Sequence, residues 1–145
     1  MKLFSFFTQE LAIDLGTANT LIMSDGKVVV DEPSIVAIDR RTGETIAVGT
    51  KAMQMHEKTH ENIKTVRPLR DGVIADFQAA ENMIEGLINM IGNRRRFFSH
   101  LKMVICIPSG ITEVEKRAVF DSADHVDSKE TYLIHEPMAA ALGIG

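Results

Sequence analysis

Ile13-Asp14-Leu15-Gly16-Thr17-Ala18-Asn19-Thr20 leads from a short apolar run into a turn, and out of it into a second apolar run, Leu21-Ile22-Met23. A glycine directly after a strand lets the backbone turn tightly, and successive amide hydrogens in such a turn form a concave anion site. Thr17, Asn19 and Thr20 add side-chain donors there. Asp14, at the strand end, is placed to accept hydrogen bonds from waters around Mg²⁺, a metal that keeps part of its hydration shell. Taken alone, the motif is also compatible with a polar hairpin turn that holds no ligand, because short motifs recur by chance.

Working outward, Leu11 to Leu15, Thr20 to Met23 and Lys27 to Val30 read as three strands, the last two joined by Asp25-Gly26. Asp-Gly between two such runs is a hairpin signal, so a three-stranded meander is expected, closed by Pro33. From Ser34 to Arg67 the pattern changes to short extended runs, Ser34 to Ile38, Thr45 to Val48 and Ile63 to Val66, around a polar helical piece near Thr50 to Lys58. This predicts a small inserted α+β subdomain over 32–66, with 1–31 and 67–145 forming the core.

Between Asp76 and Ile91, Phe77, Ala80, Ile84, Leu87, Ile88 and Ile91 recur at three- and four-residue steps, which predicts an amphipathic helix with Asp76 as N-cap. Met103 to Ile107 reads as a buried strand ended by Pro108-Ser109-Gly110. Thr112 with Glu115 spells a capping box for a second helix, reaching about Val126. Thr131 to Ile134 is a further strand, and Pro137 opens a final helix, Met138 to Leu142, with Gly143 expected to stop it. Strands followed by alternating helices and strands specify an α/β fold with a mixed sheet and helices packed on its faces.

The chain has 145 residues, 45% of them apolar, enough for one domain with a real core. Sixteen basic against twenty acidic residues leave a net charge of −4, which argues against nucleic acid as a partner. The single cysteine, Cys106, lies in an apolar run; it excludes a disulfide framework and reads as a buried thiol suited to a reducing cytosol. No apolar stretch approaches the roughly 18 residues that span a bilayer. Met1 to Phe7 lacks an extended apolar region and a small-residue cleavage site, so it reads as part of the mature chain.

Three stretches in order, Asp14 to Thr20, Val66-Arg67-Pro68-Leu69-Arg70-Asp71-Gly72-Val73-Ile74-Ala75-Asp76-Phe77 and Glu136-Pro137-Met138-Ala139-Ala140-Ala141-Leu142-Gly143, resemble the MreB-type bacterial actins. The resemblance covers essentially the whole chain, with residues 34–65 adding little. It implies an actin/RNase H-like fold and one half of an ATPase site using ATP and Mg²⁺. Carried over by position, Asp14, Gly16, Thr17, Ala18, Asn19 and Thr20 form the first phosphate loop, Asp14 faces the metal through water, and Glu136 orients the attacking water. Glu136 is also an ordinary first-turn helix residue. His135 departs from the acidic residue expected beside it and reads as a common strand-end histidine. The second phosphate loop and adenosine-binding segment of the family are not among these residues, so the chain alone is expected to bind ATP weakly and not to hydrolyse it.

Placed on a helix, Met1 to Glu10 gathers Leu3, Phe4, Phe6 and Phe7 opposite Lys2, Ser5 and Gln9, an interfacial pattern. Arg94-Arg95-Arg96-Phe97-Phe98 sets three cations before two rings; the matching region in the family looks like a membrane-insertion loop, and packing of Phe97 and Phe98 into the protein's own core is the alternative. The resemblance implies a cytoplasmic, cell-shape-determining filament protein that self-associates, lies peripherally on the inner face of the cell membrane and works with the cell-wall synthesis machinery. The ATPase half of a DnaK-like chaperone or sugar kinase, and a non-enzymatic peripheral membrane module, are the competing expectations.

Overall fold

The computed structural model describes residues 8–58, 61–91, 100–126 and 128–145. Leu3, Phe4, Phe6, Phe7, Phe97 and Phe98 therefore lie outside the described residues. The helix expected over 1–10 is cut back, because Thr8, Gln9 and Glu10 already belong to the first strand, where they pair with His100, Leu101 and Lys102.

β1 (Thr8–Leu15), β2 (Asn19–Ser24) and β3 (Lys27–Pro33) form the expected antiparallel meander. Asp25 and Gly26 turn it with φ of 51° and 72°, the two left-handed positions that a type I′ hairpin requires. β9 (His100–Ile107) and β10 (Ser128–His135) add on the other side of β1 as parallel strands, giving the order β10-β9-β1-β2-β3. The mixed sheet follows from the connections: a two-residue turn can only join antiparallel neighbours, whereas α3 (Glu113–His125) carries the chain back from β9 to a parallel β10.

α2 (Phe77–Asn89) and α3 pack side by side. The sheet residues that join them in the core are the alternate ones, Leu11, Ile13 and Leu15 of β1 with Leu101, Met103, Ile105 and Ile107 of β9. Met83, Ile84, Leu87 and Ile88 of α2 meet them, all at most 1% exposed; each contributes about 1.5 to 3 kcal/mol relative to an exposed side chain. Phe77 does not join this stripe: at the first turn of α2 it is 45% exposed, and Ala79 and Met83 take the inward positions instead. Cys106 is not a core residue either, since strand alternation turns it, half-buried, to the sheet face opposite Ile105 and Ile107.

A second sheet, β5-β4-β6, is built from β4 (Val36–Asp39), β5 (Thr45–Val48) and β6 (Ile63–Val66), with α1 (Gly49–Glu57) beside it. Ile35, Ala37 and Ala52 make its own small core. These elements make a small α+β unit within the stretch expected to be inserted. It lies close against α2, where Gly86 leaves no room for a Cβ beside the Val48 methyls. β7 (Leu69–Arg70) and β8 (Val73–Ile74) form a hairpin that sequence patterning did not anticipate, turned by Asp71 and Gly72 with φ of 52° and 78°. The last helix, α4 (Glu136–Ile144), runs through Gly143 and ends at Gly145, with φ 87°; Gly143 does not stop it because a helical glycine costs only about 1 kcal/mol.

The capping box is present: Thr112 Oγ1 accepts from the Glu115 amide at 3.3 Å, and the Thr112 amide donates to Glu115 Oε2 at 2.7 Å. Thr112→Ala should cost about 1 kcal/mol in urea unfolding at pH 7 through loss of the threonine cap. Hydrogen bonds from the Thr112 hydroxyl and amide hold the Glu115 carboxyl below its ordinary value. A depressed folded-state value means stability that is present above the unfolded carboxyl value and lost as pH falls through the folded one. The difference between parent and Thr112→Ala should therefore shrink when the unfolding curves are repeated near pH 3.

Candidate phosphate-binding site

β1, β9 and β10 are mutually parallel, so their carboxyl ends share one edge of the sheet. In open α/β sheets that edge is where ligands bind. It collects the Gly16 to Asn19 turn after β1, Pro108 after β9, and Glu136 at the first turn of α4. Asp14 and Cys106 are register partners across β1 and β9, and Ile134 follows on β10. Burial, then the charges of Asp14 and Glu136, push the Cys106 thiol up from its ordinary value. Asp14 near the end of β1 and Glu136 just after β10 thus lie at the same sheet edge, both exposed.

The turn has a tight backbone. A Cβ at Gly16 would run into the carbonyl oxygen of Asn19, so the close approach across the turn, and not a left-handed φ, requires glycine there. Ser34 packs beneath it, fully buried. The Ser34 amide donates to Ala18 O at 2.8 Å and its hydroxyl donates to Gly16 O at 2.6 Å. A serine has one hydroxyl proton, so in the 2.9 Å contact with Thr20 Oγ1 it is Thr20 that donates.

The three side-chain donors expected of the loop therefore differ. Thr20 is 0% exposed and gives its proton to Ser34, so it braces the loop from within instead of facing a ligand. Asn19 gives one amide hydrogen to Asp31 Oδ1 at 3.0 Å and keeps a second. Thr17 Oγ1 accepts from the Gly72 amide at 3.0 Å, which leaves its own proton to offer. That bond brings the unanticipated Asp71-Gly72 turn to the site. Gly72 also faces the Pro108 ring, where an added Cβ would lie 3.3 Å away, and His135 Nδ1 lies 3.4 Å from Pro108 O. Donors on the turn together with the Asp14 and Glu136 carboxylates at the same sheet edge are the groups that suit a phosphate chain with a hydrated cation.

The sequence pattern of the family described as MreB/Mbl protein matches residues 8–145. The chain belongs to the MreB/Mbl family. It is 46% identical over 140 residues to the cell shape-determining protein Mbl of Bacillus subtilis, covering 96% of this chain and 42% of Mbl. With the cell shape-determining protein MreB of Escherichia coli K12 it shares 44% over 149 residues, 99% of this chain and 43% of MreB. Among solved structures, MreB5 of Spiroplasma citri bound to ADP superposes with a TM-score of 0.80 at 36% identity, over 95% of this chain and 41% of that one. A MamK double helical filament, at 21% identity and a TM-score of 0.78, shows the same actin-like fold. The MreB/Mbl chain described here spans about two fifths of the length of the curated relatives it matches. Membership of this family sets aside the chaperone and sugar-kinase expectations.

Residues missed by sequence reasoning are Ser34, Asp31 and Gly72. The Asp71-Gly72 dipeptide carried a turn signal that could have located the third of them. Ser34 and Asp31 carried none, because their contacts close over 12 to 18 residues of intervening chain.

Proposed function

We propose that this chain supplies one wall of the nucleotide site of an ATP-dependent, filament-forming protein that determines cell shape. The single observation that carries the proposal is the convergence of Asp14, the Gly16 to Asn19 turn and Glu136 at the carboxyl edge of three parallel strands. In this reading the backbone amides of 16–19 and the Thr17 hydroxyl bind phosphate oxygens, Asp14 holds waters of Mg²⁺, and Glu136 orients a water toward the γ-phosphate. Bound Mg²⁺ would neutralise phosphate charge. Solved relatives support a nucleotide, since MreB5 of Spiroplasma citri is bound to ADP in one structure and to AMPPNP in another.

Residues 1–31 with 67–145 form the core subdomain and 32–66 the inserted one. Self-association into filaments places many copies on the inner face of the cell membrane. There Leu3, Phe4, Phe6, Phe7, Phe97 and Phe98 provide weak apolar contacts that a filament multiplies by avidity, beside the cell-wall synthesis machinery. No helix among the described residues is long and apolar enough to cross a membrane.

Isothermal calorimetry tests the nucleotide site. Residues 1–145 should bind Mg·ATP weakly, and a chain extended through the family's second phosphate loop and adenosine segment should bind it at least a hundredfold more tightly, because the second wall shares the ordering and desolvation costs. Equal affinity of the two chains would overturn the split-site arrangement.

A further inference from the structure

Ser34 is fully buried, lies 14 to 18 residues from the turn in sequence, and touches it three times. Its amide holds the Ala18 carbonyl and its hydroxyl the Gly16 carbonyl, both turned inward. A planar trans peptide points its C=O and N–H in opposite directions. An inward Gly16 carbonyl therefore sends the Thr17 N–H outward, and an inward Ala18 carbonyl does the same for the Asn19 N–H. Without that hold, either peptide could rotate and present carbonyl lone pairs to an anion, which repels it. We propose that Ser34 is the positioning residue of the phosphate loop, setting the Thr17 and Asn19 amides toward the phosphate groups of a nucleotide. The inference rests on the nucleotide reading above and goes further by assigning how the loop is oriented and by which residue.

The two hydrogen bonds are separable. Ser34→Ala removes the hydroxyl and keeps the amide, so it frees the Gly16–Thr17 peptide while the Ala18–Asn19 peptide stays held. Amide proton–nitrogen spectra of the 145-residue chain, titrated with millimolar Mg·ATP, read both. In the parent, Thr17 and Asn19 amide protons should move downfield. In Ser34→Ala the Thr17 response should vanish, the Asn19 response should persist, and the dissociation constant should rise about tenfold, the order expected for losing one hydrogen bond to a charged group. Ser122→Ala is the control: it removes another buried hydroxyl, 2.8 Å from Ala118 O on α3, and should lower stability without changing affinity.

The outcomes divide cleanly. If no loop amide of the parent responds, the nucleotide reading fails and this inference with it. If other loop amides respond but Thr17 and Asn19 do not, the nucleotide reading stands and the orientation by Ser34 is wrong. That comparison needs no variant, so it decides the matter even if Ser34→Ala does not fold. A folded Ser34→Ala that keeps the parental Thr17 response and affinity also overturns the proposal.

Discussion

Gly16→Ala is expected to lower the affinity for Mg·ATP by at least tenfold and to destabilise the fold by about 1 to 3 kcal/mol, the range for forcing extra volume into a packed site. The new methyl group would meet the carbonyl oxygen of Asn19, which is backbone and cannot swing aside. To make room, the turn would have to open, and opening it pulls the Gly16 and Ala18 carbonyls off Ser34. Stability and binding should therefore fall together. Gly143→Ala provides the comparison. Nothing lies within 4 Å of a Cβ there, the residue is helical, and alanine should be neutral or stabilising by up to about 1 kcal/mol. Urea unfolding and calorimetry on both variants check the pair. A Gly16→Ala chain as stable and as tightly binding as the parent would mean that the turn is slack and is not a preorganised cradle.

Glu136→Gln should reduce phosphate release by about a hundredfold or more in the extended protein, while nucleotide affinity changes by less than about threefold. Glutamine matches the size of glutamate but carries no charge and no basic oxygen, so it aligns a water poorly and cannot take its proton; positioned acid–base groups are worth about 10²- to 10⁴-fold. Glu136 is also acidic in the first turn of α4, where a negative charge near the helix N-terminus is worth about 0.3 to 1 kcal/mol. The two roles separate in two measurements on one variant. Single-turnover phosphate release reports the water-orienting role, and thermal unfolding reports the helix term. Loss of a few tenths of a kcal/mol with an unchanged rate would reduce Glu136 to an ordinary helix residue.

The Cys106 environment bears on how this sheet edge is probed. A thiol raised by burial and by the neighbouring Asp14 and Glu136 charges is a poor nucleophile at neutral pH, because only the thiolate reacts. Substituting either carboxylate removes one of those causes. Slow alkylation of Cys106 that quickens in Glu136→Gln would thus report that the Glu136 charge acts on the Cys106 thiol.

Local chemistry made most of the elements legible in the sequence. The Asp25-Gly26 turn, the Asp76 cap, the Thr112–Glu115 box and the period of α2 each depend on neighbours within four residues, and each is present in the structure. So is the turn from Gly16 to Asn19, because glycine after a strand has a local meaning. Where one local cue pointed elsewhere, position within the element decided. Phe77 fits the helical stripe by spacing, but it sits at the first turn of α2, where it is left 45% exposed. Cys106 has an apolar run on both sides, yet strand alternation sends it to the face of Asp14. Gly143 is helical, since one glycine is a small penalty against a continuing helix. The site itself divides the same way. Its candidate ligands Asp14, Thr17 and Glu136 were legible as motif positions, while the residues that hold them, Ser34 beneath the loop and Gly72 against Thr17, are joined to them across 18 and 55 residues. A side chain's nearest neighbours in sequence determine its backbone preference; which distant carbonyl or hydroxyl it meets is determined by how the sheet closes, and only the folded chain specifies that.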